Sequence, residues 1–242
     1  MIKDLVATLN FLTAIPFFRD VNREFRAEKM RFFFPLVGII IGVLIALFEF
    51  FSQSFLSHIS RSWMDVVFLI LITGGLHVDG LMDTADGLFS HRSKDQKLSI
   101  MKDSRVGAMG VMATIAVLGI KFVGLADIYE NRNLLLMLIP AYSRTSMVFG
   151  MRFLPYCRKM GTAHGFFSKP VMASEFLLFF IIIFLSWIVS WKMIFVTISF
   201  FIALSIILLF YKKELGCITG DMLGGMCETI EAIMFLVCGV IF

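Results

Sequence analysis

The 242-residue chain is 59% hydrophobic and only 17% charged, with a mean hydropathy of +0.89 and a formal net charge of +4. A soluble domain is typically about 45–50% apolar, and so few charged residues cannot cover a water-facing surface. These values exclude a soluble globular protein. With no internal repeat or soluble domain detected, residues 1–242 are predicted to form a single membrane-embedded catalytic domain. Its predicted fold class is all-α, a polytopic helical bundle.

The chain begins with a short amphipathic segment rather than a cleavable signal peptide. Leu5, Leu9 and Leu12 recur at helical spacing, which predicts an interfacial or partly buried helix that Pro16 helps to end. A membrane-spanning helix needs about 20 mostly apolar residues. We predict seven spans, and the pattern is compatible with six to eight; the seven are 32–51, 63–82, 108–128, 133–150, 173–190, 192–211 and 225–242.

Lysine and arginine residues alternate between the two sides of these predicted spans. Seventeen of the 22 lie in four segments, whereas the alternate connections hold only Arg61, Arg132 and Lys192. The positive-inside rule places loops rich in Lys and Arg in the cytoplasm. The N-terminus is therefore expected on the cytoplasmic side, together with the four basic segments 1–31, 83–107, 151–172 and 212–224. The motifs assigned to catalysis below lie in or next to these segments and are expected on the same side.

An acidic and glycine-rich stretch, GGLHVDGLMDTADG at 74–87, follows the second apolar run. At about 100° per residue, Asp79, Asp83 and Asp86 lie within an arc of about 60° on one helix face. Carboxylates near hydrocarbon are costly, and three on one face repel each other unless a cation holds them. Oxygen ligands suit Mg²⁺, with Mn²⁺ as a substitute, so we predict a metal site here. A solvated helix end is the alternative.

Three other residues of this stretch are interpreted from the same helical wheel. His77 lies about 160° from Asp79, so it is not expected to bind the same ion and is assigned to substrate binding. Gly80 and Gly87 are expected either to let substrate approach the backbone closely or to let the helix break.

A basic motif, MKDSRVGAMG at 101–110, precedes the third predicted span. Backbone amides at a helix N-terminus, with Lys102, Ser104 and Arg105 beside them, form an anion site suited to phosphate. Asp103 is expected either to add a metal ligand or to orient Arg105. A basic loop that touches anionic lipid is the alternative.

A second acidic motif, GCITGDMLGGMCE at 216–228, contains Asp221 and Glu228 seven residues apart. On a continuous helix the two acids share a face, although Gly224 and Gly225 make that continuity an open question. We assign both acids to catalysis, as a second metal position or as a general base for a hydroxyl nucleophile. Glycines that only allow close helix packing are the alternative.

Arg144 lies inside an apolar stretch, in PAYSRTSM at 140–147. Ionisable residues in membrane helices mostly face a polar interior, so Arg144 is predicted to pair with an acid or to bind a phosphate. The cysteines show no CxxC pair and no metal-ligand spacing, and are interpreted as small apolar filler: Cys157, Cys217, Cys227 and Cys238.

Acids, glycines and basic residues therefore converge at one membrane face, which indicates metal-assisted phosphoryl or phosphodiester transfer. At these residues the sequence resembles a known family, the adenosylcobinamide-GDP ribazoletransferases or cobalamin synthases. The resemblance covers nearly the whole chain and rests mainly on GGLHVDGLMDTADGL, IMKDSRVGAMGV and TGDMLGGMCE, with weaker agreement in FLTAIPF, FFPLVGIIIG and PAYSR.

The resemblance implies a Mg²⁺-dependent enzyme of the cell inner membrane. The alcohol of α-ribazole, or of its 5′-phosphate, attacks adenosylcobinamide-GDP and releases GMP. The catalytic residues are then expected to be Asp83, Asp86, Asp221 and Glu228, with the metal on Asp79, Asp83 and Asp86. Lys102 and Arg105 are expected to take the charge that develops on GMP. The partners expected are these small molecules and the lipid bilayer, with no nucleic acid. A homo-oligomer and association with other cobalamin-assembly enzymes are left open.

Two other functions fit part of the pattern. DTADG at 83–87 resembles the start of the CDP-alcohol phosphotransferase signature, but the rest of that signature is missing from the residues that follow. A cation-coupled transporter could use the acids as an ion relay. That function predicts inverted repeats and acids near the membrane midplane, whereas here the acids cluster at one face.

Overall fold

The computed structural model describes residues 2–15 and 26–242, and this part of the chain is helical. Within it the β pairing is limited to one bridge between Tyr156 and Ile218. The all-α prediction is confirmed. Short 3₁₀ turns cover Arg31–Phe33, His164–Phe167 and Ala173–Phe176, and the helices are α1 (Ile2–Leu12), α2 (Ala27–Met30), α3 (Phe34–Ser52), α4 (His58–Ile72), α5 (Leu76–Leu88), α6 (Lys94–Ile100), α7 (Ala108–Asp127), α8 (Arg132–Phe153), α9 (Leu177–Val189), α10 (Met193–Glu214) and α11 (Gly220–Ile241).

Five helical segments of the described chain are long and apolar enough to cross a membrane, and a bent pair adds a sixth. The five are Ala27–Ser52, Ala108–Asp127, Arg132–Phe153, Met193–Glu214 and Gly220–Ile241. The fifth predicted span, 173–190, forms the shorter apolar helix Ala173–Val189. The predicted helix at the N-terminus is confirmed as α1, whereas Pro16 lies outside the described residues.

The prediction of a single span over residues 63–82 is wrong, because this part of the chain forms two helices, α4 and α5. The chain bends by 89° between α4 and α5. Gly74 and Gly75 make the turn with φ values of +62° and +72°, a conformation that favours glycine because it has no Cβ. The amide of Ala14 donates to the carbonyl of Ile72 at 2.8 Å, so the segment after α1 satisfies the end of α4. The bend separates the acidic helix α5 from the apolar helix α4.

The centre of the bundle is α8, which packs against α3 and α11. A Cβ on Gly38 would lie 2.4 Å from the Ala141 backbone, and one on Gly42 would lie 2.5 Å from the Leu136 carbonyl oxygen. These glycines let α3 and α8 approach closely, as small residues do in membrane bundles. The close contact leaves most of α8 buried, including Arg144.

Charged side chains inside the bundle pair with each other. Lys121 of α7 donates to Glu228 and Glu231 of α11 at 2.6 and 2.8 Å, and Arg144 donates to Glu231 and to Ser143. Burial of a charge is tolerated when it is paired in this way. Of the two predictions for Arg144, pairing with an acid is confirmed, and its burial contradicts direct binding of a phosphate from solvent.

Ion pairs also join the basic segments to one end of the bundle. Arg31 pairs with Glu175, Lys97 with Glu214 and Arg158 with Asp221. The last two pairs join the segments 83–107 and 151–172 to the segment 212–224. Arg31 also donates to the carbonyls of Phe166 and Lys169, so the segment 1–31 is joined to 151–172 and all four predicted basic segments are connected. The connections predicted on the opposite side of the membrane have separate ion pairs. Arg132 pairs with Glu49 and Asp65, and Lys192 pairs with Glu130.

Candidate active site

The acidic stripe lies on one unbroken helix, α5, which runs through Gly80 and Gly87. Asp79 is exposed, and Asp83 and Asp86 are half-buried. Because the helix is continuous, the prediction that the three carboxylates share a face is confirmed. The predicted break at the glycines is wrong, because α5 continues through both of them. A Cβ on Gly87 would meet the Met101 side chain at 2.5 Å, so Gly87 is a position where the chain packs closely.

Asp221 joins this stripe from α11. A Cβ on Gly80 would lie 2.7 Å from the carbonyl oxygen of Asp221, so the absence of a side chain at residue 80 lets the two helices touch. Asp221 and Asp79 also line the same cavity, which places Asp221 beside the acidic face of α5. Four carboxylates therefore form one cluster, which we call the carboxylate cluster: Asp79, Asp83, Asp86 and Asp221.

Helix α11 is continuous from Gly220 to Ile241, so Asp221 and Glu228 do lie on one helix. Glu228, however, is buried, and its carboxylate accepts from Lys121 at 2.6 Å. The assignment of Glu228 as a catalytic base is therefore contradicted by its place in the buried network. Gly224 and Gly225 face His77 and Thr84 of α5 and allow close packing of the two helices.

Asp86 links the carboxylate cluster to the basic loop 101–107. Its two oxygens accept hydrogen bonds from the backbone amides of Gly107 at 2.7 Å and Gly110 at 2.8 Å. These amides belong to the first turn of α7, which lacks internal acceptors for its N–H groups. Any Cβ at either glycine would meet an Asp86 oxygen at 2.4 to 2.6 Å. The glycines of this motif are thus explained by the approach of Asp86.

The basic loop itself is open to solvent. Lys102, Ser104 and Arg105 are exposed, and Arg105 forms a two-pronged ion pair with Asp103, with its Nη2 2.6 Å and its Nε 3.0 Å from the carboxylate oxygens. These hydrogen bonds lower the pKa of Asp103 to about 2. Of the two predictions for Asp103, orientation of Arg105 is the one that the geometry favours, and Lys102 and Ser104 are accessible to an anion.

Arg158 is a site residue that the sequence did not single out. Its Nη2 donates to Asp221 Oδ2 at 2.8 Å and to the Met101 carbonyl at 3.3 Å, and its side chain is 15% exposed. It therefore bridges the carboxylate cluster and the basic loop. In the sequence it belongs to a loop with several basic residues, and only the fold distinguishes it from Arg152 and Lys159.

A disulfide between Cys157 and Cys217 holds Arg158 in position. The adjacent backbone is paired as well, because Cys157 N donates to Ile218 O and Ile218 N donates to Pro155 O, both at 2.9 Å. The interpretation of all four cysteines as apolar filler is wrong for this pair and confirmed for Cys227 and Cys238, which are free and buried.

His77 lies away from the carboxylates, as the helical wheel predicts. It is 3% exposed, its Nδ1 is 3.9 Å from Cys227 Sγ, and its Nε2 has no hydrogen-bond partner. Its predicted role in substrate binding stays a prediction.

The described residues offer no group of three His, Cys, Asp or Glu side chains close enough to hold a metal ion by themselves. An ion at the carboxylate cluster therefore needs oxygen atoms from a second molecule. Mg²⁺ commonly binds through one or two carboxylates plus substrate phosphates. The donor set, carboxylates with Arg158 as a nearby counter-charge, fits that mode of binding.

Comparison with known proteins finds relatives that match nearly the whole chain. A family model described as cobalamin-5-phosphate synthase matches residues 4–239. The chain is 36% identical to the adenosylcobinamide-GDP ribazoletransferase of Alkaliphilus metalliredigens over 96% of this chain and 92% of that protein. It is also 36% identical to the protein of that name from Thermoanaerobacter pseudethanolicus, over 98% of this chain and 96% of the relative. No solved structure matches the chain.

Proposed function

The chain belongs to the cobalamin-5-phosphate synthase family, and we propose that it transfers adenosylcobinamide phosphate from adenosylcobinamide-GDP to α-ribazole or its 5′-phosphate. The ribazole hydroxyl oxygen bonds to the phosphorus on the adenosylcobinamide side. The bond from that phosphorus to the GMP oxygen breaks, and the hydroxyl proton leaves. The products are GMP and adenosylcobalamin, or its 5′-phosphate. The enzyme is thus a transferase that completes the nucleotide loop of cobalamin.

The observation that carries this proposal is the contact between α5 and α11 at Gly80, beside the basic loop. It brings Asp221 to the stripe, while Arg158 connects Asp221 to the loop that carries Lys102 and Arg105. A pyrophosphate bond with a nearby hydroxyl needs this combination, because charge must be neutralised on the donor and a proton removed from the acceptor.

We infer that Asp79 and Asp83 hold Mg²⁺ together with pyrophosphate oxygens. Bound by these residues, Mg²⁺ would supply charge neutralisation at the phosphorus that reacts. Asp86 has both oxygens on backbone amides, so in this proposal it acts mainly by fixing the basic loop against α5. The three-carboxylate metal site of the sequence prediction is thereby reduced to two principal ligands.

The remaining roles follow from accessibility. Lys102 and Arg105 are exposed at the loop, where they can bind the phosphate that leaves as GMP. Asp221 is assigned to accept the hydroxyl proton, since the other carboxylates of the cluster are assigned to the metal or accept hydrogen bonds from the amides of Gly107 and Gly110. Arg158 positions Asp221 through the 2.8 Å ion pair.

The apolar helices make this a membrane protein. We propose that it lies in the cell inner membrane with the carboxylate cluster at the cytoplasmic face. The joined basic segments support this orientation, because Lys- and Arg-rich loops are retained in the cytoplasm.

The test is a reaction of purified protein in detergent with adenosylcobinamide-GDP and α-ribazole, with and without Mg²⁺. Equal amounts of GMP and adenosylcobalamin that require Mg²⁺ are the expected result. A parallel reaction contains a CDP-alcohol and a second alcohol. Turnover in that reaction alone would replace the proposal with the CDP-alcohol phosphotransferase alternative, and corrinoid transfer that is unaffected by chelators would remove Mg²⁺ from it.

A further inference from the structure

A small cavity of about 80 Å³ lies next to the carboxylate cluster, and its apolar walls have no part in the roles assigned above. Its lining includes five aromatic or methionine side chains from separate parts of the chain: Phe11, Phe34, Met147, Met151 and Phe166. We call these residues the base pocket. The N-terminal helix α1 contributes one wall, which explains why a helix outside the membrane-spanning set packs against the active end.

The aromatic residues of the base pocket are held in fixed relative positions. Phe166 contacts Phe11 edge to face with ring centroids 5.1 Å apart, and Phe34 at 5.6 Å. Phe34 and Phe166 are each 1% exposed. Such edge-to-face clusters are stable arrangements for aromatic rings, so these phenylalanines form a fixed wall of the cavity.

Polar groups stand at the boundary of the same cavity. Asp79 and Asp221 line it on the side of the carboxylate cluster. His77 also lines it, and its buried Nε2 is without a hydrogen-bond partner. A buried polar atom without a partner is costly, and a ligand that supplies one removes that cost. The cavity thus combines apolar walls, one unpaired nitrogen and two carboxylates.

From this arrangement we propose that the base pocket receives the planar aromatic base of the acceptor nucleoside. A ring nitrogen of the base pairs with His77 Nε2, and the sugar extends past Asp79 and Asp221 so that its hydroxyl reaches the phosphorus. The proposal rests on the proposed function for the identity of the acceptor, and adds the site that orients it.

The size of the cavity sets a condition on binding. A cavity of about 150 Å³ is known to accept benzene, so the base pocket must widen before a bicyclic ring can enter. Met147 and Met151 can provide that space, because methionine has three rotatable bonds and changes shape readily. The base is therefore expected to enter by displacement of these methionines, with the phenylalanines in place.

The test compares Met151→Phe, which fills the pocket, with Met112→Phe on the lipid-facing side of α7, where Met112 is 61% exposed. Binding of α-ribazole to detergent-solubilised protein is measured by titration calorimetry, and KM is measured separately for α-ribazole and for adenosylcobinamide-GDP. We expect Met151→Phe to weaken α-ribazole binding and raise its KM about tenfold or more, with the donor KM within twofold of wild type. Met112→Phe is expected to match wild type. His77→Phe is expected to weaken α-ribazole binding in the same way.

The outcomes separate this proposal from the proposed function. If wild type turns over and Met151→Phe binds α-ribazole as tightly as Met112→Phe does, the base pocket is overturned. Equal increases in both KM values also overturn it, because they indicate a general distortion. If wild type binds α-ribazole, Met151→Phe does not, and no cobalamin forms, the base pocket stands and the proposed reaction fails.

Discussion

The carboxylate of Asp86 accepts a hydrogen bond of 2.7 Å from the backbone amide of Gly107, and this contact joins the acidic helix α5 to the basic loop before α7. Two motifs that are separate in the sequence are therefore one structural unit. A shift of the loop relative to the helix would move Lys102 and Arg105 relative to Asp83. The geometry of this contact leads to the first two predictions.

The first prediction separates the roles of Asp83 and Asp86. Asp83→Asn removes a carboxylate from a repelling cluster, so the protein should melt at the same or a higher temperature while activity falls about 100-fold or more. In Asp86→Asn an NH₂ group takes the place of one of the two oxygens that accept hydrogen bonds from backbone amides. This variant should therefore lose about 1–2 kcal/mol of stability, and its activity should also fall. Thermal unfolding in detergent and initial rates measure both effects. Equal melting temperatures for the two variants would contradict this division of roles.

The second prediction concerns the glycines of α7. Gly107→Ala places a Cβ 2.4 Å from an Asp86 oxygen, whereas Gly119→Ala in the same helix meets nothing within 4 Å. We expect Gly107→Ala to reduce kcat at least about tenfold, since the loop must move away from α5. Gly119→Ala is the matched control and should keep wild-type kcat. Similar rates for the two variants would show that the contact with Asp86 is not required.

The third prediction concerns Arg158, which sequence reasoning did not identify. Arg158→Met leaves Asp221 without its cation and frees the loop at Met101, so kcat should fall about 10- to 100-fold. Arg158→Lys should recover part of the loss, because it restores the charge without the planar geometry. Lys159→Met changes the neighbouring exposed cation and should have little effect. If Lys159→Met proves as harmful as Arg158→Met, the loop contributes only its total positive charge.

The difference between the stripe and Arg158 shows what the sequence could predict. Asp79, Asp83 and Asp86 lie within eight residues, so helical periodicity alone determines that they share a face. The contact of Arg158 with Asp221 and the pairing of Cys157 with Cys217 join residues 60 or more positions apart. Spacing along the chain carries no signal for such pairs. Likewise, the Gly74–Gly75 turn is visible as two glycines, but its 89° bend depends on the packing around it.

The fourth prediction concerns the disulfide. It closes a loop of 60 residues and fixes the segment that carries Arg158, so its loss should cost about 2–4 kcal/mol of stability. The double variant Cys157→Ser/Cys217→Ser should melt below wild type and should have a lower kcat, as Arg158 becomes mobile. Wild type in dithiothreitol should behave like the double variant, which in turn should be insensitive to dithiothreitol. A reductant effect on the double variant would show that dithiothreitol acts on the protein by another route than this disulfide, and would contradict the prediction.

The last prediction tests the orientation in the membrane. Ser104 lies in the basic loop, and Tyr129 lies near Arg132 and Glu49, in one of the connections predicted outside; its side chain is 73% exposed. The labelling is done on the Cys157→Ser/Cys217→Ser background, because a pair of cysteines on the cytoplasmic side would be kept reduced, whereas Cys227 and Cys238 are buried. In intact cells stripped of any outer membrane, a membrane-impermeant maleimide should label Tyr129→Cys and spare Ser104→Cys until the cells are lysed. The opposite pattern would place the carboxylate cluster outside and would contradict the proposed orientation, because both residues would then lie on the sides opposite to those predicted.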